Sequence, residues 1–244
     1  MKGGYALELR LGNRARTTKD VDIEWLASTN EALDALLNAA AYDTGDHFVY
    51  EIERTSDPPE RLGGSLRFSV LAFLAGRLFD RFVLDVGFRP QRNEPVTRVT
   101  LWGGLEFAGI DDEEINAVHI ELQIAEKLHA YTRTFAAGRT SSRTKDLVDL
   151  ILIAESLPLD AARLRGAITE TFAQRDSHAK PSAFPTPPSK WATPFRVLAT
   201  AIDTSYDLNG GHQLVASLLD PVLQGTVLSG TWIPDFLTWS ISKE

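Results

Sequence analysis

The sequence predicts an α+β fold on three observations. Asp20-Val21-Asp22-Ile23-Glu24-Trp25 alternates polar and apolar residues, and Arg81 to Phe88 forms a second β-rich run, so the part up to about residue 110 mixes strand with helix. Between these runs, Thr29 to Ala41 is rich in Ala and Leu and reads as a helix, with Thr29 or Asn30 as its cap. From about residue 112 onward the apolar spacing becomes helical. The expected organisation is a core over residues 1–110 containing a mixed sheet, and a helical part over 111–244.

The second part is punctuated by Lys180-Pro-Ser-Ala-Phe-Pro-Thr-Pro-Pro-Ser-Lys190, whose four prolines exclude regular structure. Beyond it, Trp191 to Leu223 reads as two helices broken at Asn209-Gly210-Gly211. The segment Gly230 to Trp239 carries two tryptophans and is expected to pack on the helical cap.

Composition narrows the chemistry. The chain has 244 residues, 43% hydrophobic and 24% charged, enough to bury a full core. It contains no cysteine, so any metal must be held by oxygen or histidine, which favours hard cations such as Mg²⁺. No apolar stretch approaches the roughly 20 residues that cross a bilayer, and the start lacks a secretory signal's apolar core, so no membrane association is expected and the cytoplasm is the expected compartment. A net charge of −8 argues against a non-specific coat on nucleic acid but leaves room for local basic patches. One such patch is Arg133, Arg139, Arg143 and Lys145; another is Arg14, Arg16 and Lys19.

The chemistry-bearing residues fall in four groups. Gly3 and Gly4 open a helix-like run, where a bare backbone and a helix start can receive phosphate. Asp20 and Asp22, two apart on a strand, point to the same side while Val21 and Ile23 point into the core; a divalent cation relieves the repulsion between such carboxylates. Taken alone, an Asp-x-Asp is more often the wet face of an amphipathic strand. Asp85 stands on the face of its run opposite Phe82, Leu84, Val86 and Phe88, and a carboxylate in that apolar setting needs a partner, either a shared metal or solvent. Ile120, Ile124, Leu128 and Tyr131 share one helix face, and Lys127 lies about 20° from Ile120, so its ammonium is directed inward in search of an anion. A further helix begins near Arg143 with Thr144 as a plausible cap and an apolar face of Leu147, Leu150, Ile151 and Ala154; Asp146 in its first turn suits either the helix dipole or catalysis.

Their order carries a resemblance. Lys2-Gly-Gly-x-Ala-Leu7, Arg16-x-Thr-x-Asp-x-Asp22, Glu121-x-Gln-x-Ala-Glu-Lys-x-x-Ala130 and Arg143-x-x-Asp-Leu-x-Asp-Leu150 together resemble the AbiEii/AbiGii toxin family of nucleotidyltransferases. The resemblance implies a core like that of DNA polymerase β-type minimal nucleotidyltransferases, with a helical C-terminal part that contributes Lys127 and Asp146 to the active site. It implies an enzyme that uses a nucleoside triphosphate and Mg²⁺, with Asp20 and Asp22 as the metal pair, Asp85 as a further metal ligand, Lys127 binding nucleotide, and Asp146 as the acid of the last motif. Gly3, Gly4 and Thr18 are then expected at the nucleotide; many such transferases place Gly-Ser before the Asp-x-Asp, and here Thr17 or Thr18 is left to supply that hydroxyl. The family's place in toxin–antitoxin and phage-defence pairs implies tRNA as acceptor, growth arrest as outcome and a cognate antitoxin as partner, and Arg133, Arg139, Arg143 and Lys145 become the expected acceptor surface. Three other readings stay open: a transferase acting on a protein or small molecule, a non-catalytic nucleotide-binding interaction module, and a metal-dependent hydrolase releasing free monophosphate. The five histidines show no metal-ligand pairing, and His129 is given no role.

Overall fold

The computed structural model describes residues 1–26, 28–55, 65–88, 96–101, 112–135, 139–140 and 143–241. The architecture is α+β, as the sequence predicts. The chain forms two compact units, one of Met1–Arg10 with Thr17–Ala117 and one of Leu11–Arg16 with Val118–Glu244. The boundary expected near residue 110 falls outside the described residues.

In the first unit, helix α1 (Gly3–Leu11) precedes strand β1 (Asp20–Trp25), helix α2 (Thr29–Ala41) and strands β2 (Phe48–Arg54), β3 (Ser65–Leu74) and β4 (Arg77–Phe88). The four strands form one sheet in the order β1-β4-β3-β2, parallel between β1 and β4 and antiparallel elsewhere. One face of the sheet is apolar: Phe68, Val70, Leu84 and Val86 are buried, and Val21, Ile23, Leu33 and Leu36 pack on them. Leu33 and Leu36 lie three apart on α2, so the helix lays its stripe across the sheet as period 3.6 requires. Strands β5 (Thr97–Leu101) and β6 (Glu113–Ala117) form a separate antiparallel pair. The cap of α2 is neither Thr29 nor Asn30. Ser28 accepts from Glu31 N–H while the Glu31 carboxylate accepts from Ser28 N–H at 2.8 Å, a reciprocal capping box that satisfies two end donors.

The second unit is built on helices α3 (Ile120–Thr132), α4 (Thr144–Ser156), α5 (Ala161–Arg175), α6 (Ala192–Ala201) and α7 (Leu208–Leu223). Helical structure therefore starts at residue 120, after β6, rather than at 112. Every residue of α4 from Asp146 to Ala154 is buried, so this helix is the unit's axis rather than an amphipathic cover. Thr144 is not its cap: Arg143 holds that position without a side-chain bond. The break between the last two helices is at residues 202–207, not at Asn209-Gly210-Gly211. Asp207 caps α7 by accepting from Gly210 N–H at 2.7 Å, which draws the glycines into the first turn. A Cβ on Gly211 would lie 2.4 Å from Ile151 Cδ1, so the glycine lets α7 approach α4 closely.

The second unit also holds strands the helical expectation omitted. Besides the short pair β7 (Thr134–Phe135) and β8 (Arg139–Thr140), β9 (Leu159–Asp160), β10 (Thr231–Ile233) and β11 (Thr238–Ser240) form a small sheet in the order β11-β10-β9. Its tryptophans dock on helices as expected: Trp232 Nε1 donates to the Ala154 carbonyl at 2.8 Å and Trp239 Nε1 to the Leu218 carbonyl at 3.0 Å. Among the described residues no helix is long and apolar enough to cross a membrane.

Candidate active site

The polar face of the first unit's sheet gathers the predicted acids. Asp22 on β1 pairs in register with Asp85 on β4, which pairs with Arg67 on β3, so their side chains share one side of the sheet with Asp20. Asp20 is exposed. Arg67 grips Asp85 through two parallel bonds of 2.7 Å, a fork that occupies both carboxylate oxygens. The guanidinium is held above its ordinary range, first by this hydrogen-bonded pair and then, against partial desolvation, by the charges of Asp85, Asp20 and Asp22. The same arginine thus feels all three acids, Asp85 by direct bonds and Asp20 and Asp22 through their charge. Sequence reasoning supplied the acids and missed the arginine.

Asp22 is seated by the backbone of the amino-terminal segment. Lys2 N–H donates to the Asp22 carbonyl at 2.8 Å, placing Gly3 beside the carboxylate at the start of α1. Gly3 has φ +70°, and a Cβ there would fall 1.9 Å from Asp22 Oδ2. Gly4 lies in the first turn of α1. The Lys2 ammonium stands 3.9 Å from Glu24 Oε1. Thr18 sits in the turn before β1, where its hydroxyl accepts from Asp20 N–H at 3.3 Å and its own N–H donates to Glu8.

The second unit holds the predicted cation. Lys127, 7% exposed on α3, donates to Asp149 Oδ2 at 2.5 Å and stands 3.6 Å from Asp146 Oδ1. Arg16 binds both oxygens of the fully buried Asp149 at 2.8 and 3.0 Å. Arg143 lies 3.8 Å from Asp146 Oδ2, an atom that is buried and makes no hydrogen bond among the described residues. Burial favours the neutral amine at Lys127, but Asp149 and Asp146 outweigh it and raise its affinity for the proton. The two acids diverge. Burial pushes Asp146 up, against Lys127 and Arg143, whereas Lys127 and Arg16 overcome burial at Asp149 and hold it down. Arg16, Lys127 and Arg143 thus converge on the two carboxylates Asp146 and Asp149.

Asp149 and Arg16 were missed as site residues. Asp149 carried a signal: it is the one charge in the run Leu147 to Ala154, and a lone carboxylate there demands a buried cation. Arg16 heads one of the family-like motifs, but nothing local names its partner, 133 residues away. Of the predicted acceptor surface, Arg143 and Lys145 are exposed and Arg133 caps the end of α3; the Arg139 side chain, with residues 136–138 and 141–142 of the same basic run, lies outside the described residues. Among the described residues no three acidic or histidine side chains form a metal cage by themselves.

Residues 1–210 match the family of the nucleotidyl transferase AbiEii toxin of type IV toxin–antitoxin systems. The chain belongs to the AbiEii family. As a member it is a nucleotidyltransferase toxin, an enzyme acting on a nucleoside triphosphate and paired with an antitoxin. Among solved structures this AbiEii chain is similar to MenT4, a nucleotidyltransferase toxin from Mycobacterium tuberculosis H37Rv, with a TM-score of 0.52 at 17% identity over 94% of this chain and 84% of that one. That likeness supports the shared fold. A search of curated proteins finds no match.

One histidine of this AbiEii chain sets an acid limit on stability. His129, 3% exposed, has its pKa lowered from 6.5 to about 4 by burial, then by Arg175, His178 and Arg133, with Glu126 opposing. A lowered folded-state value means stability present above 6.5 that is lost as pH falls toward 4. The melting temperature is expected to drop across that window, and His129→Phe to drop less; equal slopes in thermal melts would contradict this. His178 is lowered in the same direction, so the variant keeps part of the slope.

Proposed function

We propose that the enzyme transfers a nucleoside monophosphate from a nucleoside triphosphate to tRNA with Mg²⁺, in the cytoplasm, and that this arrests growth. The observation that carries the reading is the pairing of Asp20 and Asp22 on one face of β1, with the Asp22 carboxylate seated against Gly3 at the start of α1. Two carboxylates on an acidic face suit Mg²⁺, which takes one or two protein oxygens and fills its remaining positions with water and phosphate. Asp20 and Asp22 would hold it, and when bound it would neutralise charge developing on the phosphates. Asp85, tied to Arg67, supports this face as a further acid.

The second unit's roles follow from its charges. Lys127, locked by Asp149, keeps its proton and offers a fixed cation to the triphosphate. Asp146, raised by burial, is the acid suited to exchanging a proton. Thr18 and the Gly3–Gly4 backbone would orient the nucleotide. Phosphoryl-type transfer needs mainly such positioning and neutralisation.

The test is to incubate the protein with Mg²⁺, total tRNA and each of the four triphosphates labelled on the α-phosphate, beside the Asp20→Ala, Asp22→Ala double variant. Label on tRNA with wild type alone supports the reading and names the base; no transfer with any triphosphate sinks it. For the acceptor surface, Arg139→Glu with Arg143→Glu is expected to weaken tRNA binding by about tenfold or more at low salt and to lower the salt slope by roughly two. Unchanged binding in a filter assay would remove those arginines from the interface.

A further inference from the structure

A second cluster of reactive side chains lies in the second unit, apart from the Lys127 cluster. Ser177, exposed in the turn after α5, places its hydroxyl 2.9 Å from His129 Nε2 and 2.9 Å from His178 Nδ1. His178 Nε2 lies 2.8 Å from Thr132 Oγ1. One set of tautomers satisfies all of these contacts at once. Thr132 gives its one hydroxyl proton to the Leu128 carbonyl at 2.9 Å, which can only accept, so Thr132 accepts from His178 Nε2–H. His178 Nδ1 is then bare and accepts the Ser177 proton, while His129 Nε2–H donates to Ser177 Oγ. His129 Nδ1 is buried with no hydrogen-bond partner among the described residues, as fits a ring held neutral.

A hydroxyl that donates to a neutral imidazole, itself oriented by a third group, is the arrangement that activates a serine nucleophile. Asp176, at the end of α5 with φ +38°, turns the chain so that Ser177 and His178 face back onto α3. The surroundings favour an anionic product: Arg133 acts on both histidines, Arg175 acts on His129, and the acid facing them, Glu126, is paired with Arg175 at 3.0 Å.

We propose that Ser177 is a nucleotidyl acceptor, taking a nucleoside monophosphate from the nucleoside triphosphate that the enzyme uses. The Ser177 Oγ–phosphorus bond forms at the α-phosphate, the bond to the bridging oxygen breaks, pyrophosphate leaves, and the hydroxyl proton passes to His178 Nδ1. The product is a phosphodiester whose single negative charge sits beside two imidazoles and Arg133. This rests on the nucleotidyl-transfer reading above and names a protein acceptor for it.

The experiment uses the full chain with Mg²⁺ and α-labelled triphosphates, with and without total tRNA, and locates label on the protein by peptide mass spectrometry. A parallel sample is treated with a fluorophosphonate, which needs an activated hydroxyl but no nucleotide. The expected result is one added monophosphate on Ser177, absent in Ser177→Ala and at least about tenfold slower in His178→Asn, with transfer to tRNA unchanged in both variants. Label on tRNA with none on Ser177 overturns this proposal alone. If nothing is nucleotidylated but the fluorophosphonate marks Ser177 in a His178-dependent way, the transferase reading and the nucleotidyl acceptor both fall, and an activated serine remains. Label that survives Ser177→Ala overturns the assignment outright.

Discussion

Gly3→Ala is expected to silence nucleotidyl transfer nearly as fully as loss of Asp22 itself. The new methyl would begin 1.9 Å from Asp22 Oδ2 and 2.7 Å from its Cγ, whereas unbonded carbon and oxygen stay about 3 Å or more apart, so the carboxylate or the helix start must retreat by about 1 Å. A displacement of that size at a reacting group costs about 10²-fold in rate. The positive φ adds roughly 1–2 kcal/mol of strain, and the two effects can be separated. Gly12 also has a positive φ, of +55°, but open space around its Cα, so Gly12→Ala carries strain without collision. Transfer per folded molecule should fall about 10²-fold in Gly3→Ala and stay within a few-fold of wild type in Gly12→Ala. A Gly3→Ala enzyme keeping more than a tenth of its activity would show that Asp22 does not depend on this contact.

The largest effect on stability is expected at Asp149. Replacing it by asparagine keeps the volume and removes the charge that Arg16 and Lys127 share, leaving a buried ammonium and a largely buried guanidinium facing a neutral amide. Removing one partner of such a buried network costs about 3–5 kcal/mol, because desolvation of the remaining charges is no longer offset. For a chain of this size that is a fall of roughly 10 °C in melting temperature. Calorimetry on Asp149→Asn showing a fall under about 2 °C would mean that the cluster is hydrated rather than dry. The same network is most robust above the ordinary carboxylate range: Asp149 has its folded-state value lowered, so its contribution is present above 3.8 and lost as pH falls further.

Period and composition made much of this legible in sequence, and long-range pairing did not. The alternation of Asp20 to Trp25 fixed which side chains face together, because a strand has only two faces, and the sheet's apolar side follows from it. Counting 100° per residue put Lys127 on the inward stripe of α3, where it is found. The anion it meets was harder to name, since Asp149 lies on another helix and Arg16 reaches the same carboxylate from the far end of the chain. Arg67 was hidden for a similar reason: its partner is set by the pairing of β3 with β4, which no local pattern specifies. Local rules also misled where two competed. Gly210-Gly211 reads as a helix break, yet a capping Asp207 and tight packing on Ile151 make it a helix start. The strands β9 to β11, of two or three residues, are too short to show alternation at all.

The assignment of Leu11–Arg16 to the second unit has a consequence for inheritance. A gene fragment encoding only residues 118–244 would deliver Asp149 with Lys127 but without the guanidinium that grips both its oxygens. Recombination at a single point between the units therefore leaves the buried Asp149 with Lys127 but without the arginine fork, unless the incoming amino-terminal segment brings an arginine of its own. The two halves are expected to be exchanged between relatives only as a matched pair, with position 16 and position 149 travelling together.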